Sequence, residues 1–182
     1  MYFDQSGDIN TDLAIRLAHR RAKELGVDEI VISSTSGDTA YRALEVMKDF
    51  KLVVVAYHSG SEKALEHVMA DDVREDLENE GLIVVNAAHP FSGIEGAVAK
   101  KYGGAYPSRV IADTLRLMGE GIKAAVEITL MASDAGVLSG SDVVAVAGSG
   151  KGVDTAAVIQ PVNQSRIFDL KIREIICKPR EF

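Results

Sequence analysis

The sequence predicts an α/β domain, a three-layer α/β/α arrangement on a mostly parallel sheet with an antiparallel C-terminal strand. Three observations predict it. Short runs such as Ile30-Val31-Ile32, Leu52-Val53-Val54-Val55 and Leu82-Ile83-Val84-Val85 are apolar throughout rather than alternating. Helical patterns separate them, so each strand is expected to be covered on both faces and paired in parallel. The tail, Thr155 to Val162 and Leu170 to Lys178, reads as two further strands, at least one of them antiparallel. At 182 residues the chain fits one domain, 1–182.

Each element has its own signal. A helix is expected from Thr11 to Leu25, with Asn10 or Thr11 as cap, an apolar stripe of Ala14, Ile15, Ala18, Ala22 and Leu25, and Gly26 as stop. Glu29 to Ser33 is a buried strand, Asp38 to Lys48 a helix, and Lys51 to Tyr57 the next strand. Ser59 and Glu62 stand at capping-box spacing before a helix expected from Ser61 to Asn79, which Gly81 ends. Asn86 to Gly136 has no strand pattern. Gly93 to Lys101 and Ser108 to Met118 read as short helices, the latter entered through Pro107. Ile122 to Ala135 is apolar almost all round, with Lys123, Glu127 and Asp134 on one narrow side, so most of it should be buried. Asp142 to Ala147 returns to strand.

Composition narrows the function. A net charge of −7 argues against nucleic acid and anionic membranes as partners. The single cysteine, Cys177, excludes an intramolecular disulfide and lies in an apolar run that suits a buried thiol. The N-terminus shows no signal peptide, and no stretch reaches the roughly 20 apolar residues of a membrane span. A cytoplasmic protein is expected, with homo-oligomerisation left open.

Ligands of open parallel sheets bind beyond the carboxyl ends of the strands, where helix N-termini favour anions. Four loops qualify. Ser33 to Thr39 offers Ser34, Thr35, Ser36 and Gly37 before a helix, so Thr35, Ser36, Gly37 and Thr39 are candidate phosphate contacts. The plainer reading is that Ser36 caps the helix. Asp38 sits in the same loop, where a carboxylate repels phosphate unless it turns away or pairs. Tyr57-His58-Ser59-Gly60 and Asn86 to Gly93, with His89, each place a histidine at a strand exit. Either histidine could titrate near neutrality or serve as a polar edge residue. No metal site is expected, because no carboxylate stands at helpful spacing. Gly148-Ser149-Gly150-Lys151-Gly152 fails both nucleotide signatures. Ala145 and Gly152 occupy the glycine and Ser/Thr places of a Walker A loop, and Val153 the third glycine of a dinucleotide fingerprint. The loop, through Thr155, remains an amide-rich anion contact with one lysine, or a plain turn. The acidic run Asp71 to Glu80 reads as a solvated helix face.

Ile30-Val31-Ile32-Ser33-Ser34-Thr35-Ser36-Gly37-Asp38-Thr39-Ala40 resembles the strand, loop and helix start of the pyruvate kinase C-terminal domain. There a Ser-Gly-Arg-Thr loop holds a phosphate of the allosteric effector, and Asp38 departs from its arginine. The late strand Asp142 to Gly148 falls in similar order. The whole chain is similar to a stand-alone, mainly archaeal family of that fold associated with flavin mononucleotide (FMN). The resemblance implies a small phosphorylated ligand, FMN, with phosphate on Thr35 to Thr39 and the ring toward His58, His89 or the Gly148 to Thr155 loop. Pyruvate kinase activity itself is not expected, since it needs a barrel of about 250 residues. The alternative is a hydrolase or isomerase of a small phosphorylated metabolite with His58 or His89 as general base. All of this requires the loops to converge on one electropositive pocket.

Overall fold

Among the described residues seven strands form, β1 Tyr2–Phe3, β2 Glu29–Ser33, β3 Lys51–Ala56, β4 Ile83–Asn86, β5 Val143–Ala147, β6 Thr155–Gln160 and β7 Lys171–Pro179, all but β1 on apolar, mostly β-branched runs. Six α-helices accompany them among the same residues, α1 Thr11–Leu25, α2 Asp38–Val46, α3 Asp71–Asn79, α4 Gly93–Tyr102, α5 Pro107–Arg116 and α6 Glu120–Asp134. The computed structural model describes residues 1–60 and 63–182.

The strands form one sheet in the order β1-β7-β6-β5-β2-β3-β4. β5, β2, β3 and β4 pair in parallel. β6 is antiparallel to both β5 and β7, so the reversed strand is the penultimate one rather than the last. β1 pairs in parallel with the end of β7. At two residues it is too short for any periodicity to betray it.

Successive side chains of a strand point to opposite faces, and the two cores follow that rule. Ile30, Ile32, Val54, Val144 and Val146 pack with Ala14, Ile15 and Ala18 of α1, Ala40 and Ala43 of α2 and Leu77 of α3. Val31, Val53, Val143 and Ala145 pack on the other face with Ile122, Val126 and Leu130 of α6 and Ala112 of α5. The result is three layers.

Expectation and structure part company at α3. The helix expected from Ser61 starts at Asp71; Lys63 to Ala70 is turn and bend, with Leu65 at φ 65°. The capping pair cannot be compared, since Ser61 and Glu62 lie outside the described residues. The physical reason for the shorter helix is backbone conformation: Leu65 at positive φ cannot continue a right-handed helix, and Ala70, extended at ψ 146°, marks where α3 begins. The carboxylates of Asp71, Asp72, Glu75, Asp76, Glu78 and Glu80 lie on exposed residues.

The strand order also fixes where a site can form. β2 leads right to β3, while the chain leaving β4 returns to the other side of β2 as β5. The topological switch point therefore lies between the carboxyl ends of β2 and β5.

Candidate functional site

Two of the four loops meet at that switch point. The β2–α2 loop is built around Ser34, which is buried and whose Oγ accepts a hydrogen bond from the Ala40 amide at 3.2 Å. Ser34, not Ser36, thus holds the helix start, and Thr35 and Ser36 remain exposed. Gly37 has φ 103°, and a Cβ there would lie 2.4 Å from Val73 Cγ1 of α3. Only glycine fits. Tyr41 N–H donates to the Gly37 carbonyl, the first bond of α2, and the Asp38 and Thr39 amides have no acceptor among the described residues. They form the positive end of the helix dipole.

The β5–β6 loop is folded back by buried polar groups. Asp154, fully buried, accepts from the Gly7 amide at 2.8 Å, the Ser149 amide at 3.4 Å and the Thr155 hydroxyl at 2.8 Å. Thr11, expected as a helix cap, instead accepts the Val153 amide through Oγ1 at 3.0 Å. Gly148 abuts the Gly152 carbonyl, and Gly152, at φ 73°, lies so close to Thr11 and Asp8 that a Cβ would stand 2.4 and 2.5 Å from their oxygens. This packing sets Gly150, Lys151 and Gly152 across from Thr35, Ser36, Asp38 and Thr39, around a cleft of about 350 Å³ that Asp8, Ser33 and Arg42 complete. Gly37 and Gly148 shape the backbone without lining the cleft, and the Thr155 hydroxyl is turned into the protein.

The charges in the cleft are more even than expected. Two cations, Arg42 and Lys151, face two carboxylates, Asp8 and Asp38. Arg42 donates to Asp8 and Asp12, each at 2.8 Å. The bond from Arg42 and then that from Thr11 hold the Asp8 carboxyl below its usual range. The pocket is therefore balanced rather than electropositive, and its pull on an anion rests on the helix amides and Lys151. Asp8 and Arg42 escaped the sequence reading; Arg42, one turn after Asp38, was the available signal.

The histidines form a separate cluster on the same rim. Tyr57 and His58 leave β3, His89 follows β4, and the three rings contact one another with centroids 4.7–5.1 Å apart. Ser59 and Gly60 are exposed beside them. None of these residues lines the switch-point cleft. Behind His89 lies Glu127 of α6, only 2% exposed. Its Oε2 is 3.3 Å from His89 Nδ1 and accepts from Lys123 Nζ at 2.6 Å, while Oε1 accepts from the Phe91 amide at 3.3 Å. Burial alone would raise the Glu127 carboxyl, yet the bonds with His89 and Lys123 outweigh it and hold it at about 2. Burial first, then His89, lowers the His58 imidazole from its usual value. His58 Nδ1 and His89 Nε2 are buried without a hydrogen-bond partner among the described residues. Among those residues no three His, Cys, Asp or Glu side chains converge as a metal site. The Lys123/Glu127 pair was legible as the polar side of α6, but not its burial.

Cys177 is fully buried, and burial pushes its thiol up to about 12, which leaves it inert as a nucleophile. No described helix is long and apolar enough to cross a membrane. The family model described as pyruvate kinase, alpha/beta domain, matches residues 12–159, and the chain belongs to that family. The match takes in both cleft loops and leaves out Asp8, β1 and β7.

Proposed function

We propose that this member of the pyruvate kinase α/β-domain family is a binding protein for a phosphorylated small molecule, its phosphate resting on the first turn of α2. One observation carries the reading: the Ser33–Thr39 and Gly150–Gly152 segments share a single cleft at the sheet's switch point. The Asp38 and Thr39 amides, the Thr35 and Ser36 hydroxyls and the Lys151 ammonium are the groups that would hold three phosphate oxygens. Asp38 lines the same cleft with no ionic partner among the described residues, so its carboxylate opposes the phosphate and the amides and Lys151 have to outweigh it.

Within that class the family resemblance favours FMN, and the residues present fit it. From the β5/β2 boundary to the ends of β3 and β4 is about two strand spacings, roughly 10 Å, a span suited to a ribityl chain. At the far end Tyr57 is 42% exposed, offering a ring face for stacking. The two partnerless imidazole nitrogens of His58 and His89 suit the polar edge of a flavin ring. Bound FMN supplies redox chemistry; the chain's own residues would hold and orient it. The protein as purified should absorb in the visible, or quench added FMN fluorescence with one-to-one saturation. A colourless sample that leaves FMN fluorescence unchanged overturns the flavin assignment. If the same sample binds another phosphorylated compound in competition with inorganic phosphate, the cleft stands and only the ligand changes.

The alternative, a hydrolase or isomerase of a small phosphorylated metabolite, is favoured by Glu127. A carboxylate on His89 Nδ1 leaves Nε2 as the proton acceptor, which selects His89 over His58 as general base. Its test is pH-dependent turnover of a metabolite panel that disappears in His89→Ala.

A further inference from the structure

A larger cavity, about 610 Å³, lies away from the switch point, between α4, α5 and the start of α6. Its origin is in the sequence. Gly96 and Ala99 of α4 and Ala112 of α5 line it, and side chains of that size cannot fill the space between helices. α4 contributes no buried residue to the protein. Phe91 and Ala112, both buried, give the cavity an apolar wall.

Charged side chains of both signs complete the lining. Lys100, Arg109, Arg116 and Lys123 line it with the carboxylates Glu95 and Asp113, and Glu120 and Glu127 stand behind Arg116 and Lys123. Most of these groups are already engaged. Glu95 accepts from the Ser108 amide at 2.9 Å and from its hydroxyl; Asp113 accepts from Arg116 at 2.7 Å; Arg116 also reaches Glu120, and Lys123 is held by Glu127. Arg109 stands 3.7 Å from Asp113 with its side chain 69% exposed, and Lys100 has no ionic partner among the described residues. Lys100 is thus the lining cation with no ionic partner among the described residues, and Arg109 the most loosely held of the rest, one on each of two neighbouring helices.

An apolar wall with a few convergent charges, at a volume within the roughly 300–1,000 Å³ of small-molecule sites, describes a binding pocket. We propose that this cavity is a second ligand site, separate from the switch-point cleft, for a small organic anion with an apolar body, such as an aromatic or branched-chain carboxylate. The apolar body lies against Phe91, Ala99 and Ala112, and the anionic group takes Lys100 and Arg109 as counter-ions. The inference does not depend on the identity of the phosphorylated ligand.

The test uses 8-anilino-1-naphthalenesulfonate, which joins an aromatic body to an anion and brightens on leaving water. The wild-type chain should bind it with one-to-one stoichiometry. Benzoate should displace it, and inorganic phosphate and FMN should not. Lys100→Glu with Arg109→Glu should weaken it by about tenfold or more, as two screened ion contacts turn repulsive. Ala99→Phe fills the cavity from a helix with no buried residue and should abolish binding, with melting temperature and near-ultraviolet circular dichroism unchanged. Affinity indifferent to both changes, binding of several dye molecules per chain, or displacement by phosphate or FMN as readily as by benzoate would each overturn the proposal. So would a wild-type chain that does not bind the dye.

Discussion

The switch-point cleft and the α4–α5 region offer cavities of comparable scale, built in opposite ways. The cleft is defined by backbone, with Asp154, Thr11 and Ser34 tying its two loops to buried groups and glycines accepting approaches no side chain would survive. The α4–α5 cavity is defined by what is missing, small side chains on a helix that buries nothing. The difference teaches that a loop can be packed as closely as the core when its polar anchors are buried, whereas regular helix alone does not close-pack a region.

Glycine substitutions should separate the two most sharply. Gly152→Val drives a side chain into Thr11 and Asp8 at φ 73°, and should cost about 3 kcal/mol or more, read as a large fall in melting temperature. If Gly152→Val melts like the wild type, the close approach at the cleft is wrong.

Acid should act next, through the Glu127 network that joins the histidine cluster to the wall of the α4–α5 cavity. The Glu127 carboxyl is held at about 2 in the folded protein against an ordinary 4.5. A depressed carboxyl stabilises the fold fully above its unfolded value, and that contribution fades as pH falls from 4.5 toward 2. The amount at stake is on the order of 3 kcal/mol. Urea unfolding between about pH 5 and about pH 3 should show wild type losing more stability than Glu127→Gln; parallel losses would contradict the network.

Lys151→Glu should weaken a phosphorylated ligand by about tenfold and leave thermal stability unchanged, because Lys151 is exposed and lines only the cleft. Isothermal titration against a differential melt checks both halves. Smallest of all, Gly96→Ala should stabilise by about 0.5–1 kcal/mol, since the new methyl meets nothing nearer than Ser92 Cβ at 3.7 Å. The same type of residue, changed to a larger one, should thus give opposite signs in the two regions.

What the sequence disclosed follows the same division. The parallel strands and α1 were legible because an apolar run needs only its neighbours to declare itself. Ser33 to Thr39 and Gly148 to Gly152 were legible as strand exits, because glycine and hydroxyl residues there have few other uses. That they face each other was not, since it depends on β5 returning beside β2. Neither was the role of Thr11, which reads as a cap until Val153, 142 residues away, is placed against it. Glu127 looked like the wet side of α6; only packing under His89 and Phe91 buries it. Lys63 to Ala70 looked helical by pattern, and the left-handed backbone at Leu65, which no periodicity announces, interrupts it.

The central claim is that a phosphate group docks on the first turn of α2 opposite Lys151. It is tested most directly by following backbone amide resonances of ¹⁵N-labelled protein during titration with FMN and, separately, with inorganic phosphate. Saturable shifts in both titrations at Asp38, Thr39 and Gly150 to Gly152, lost in Lys151→Glu, are the predicted result. Amides there that stay still while resonances elsewhere move, or that move equally in the variant, would contradict it.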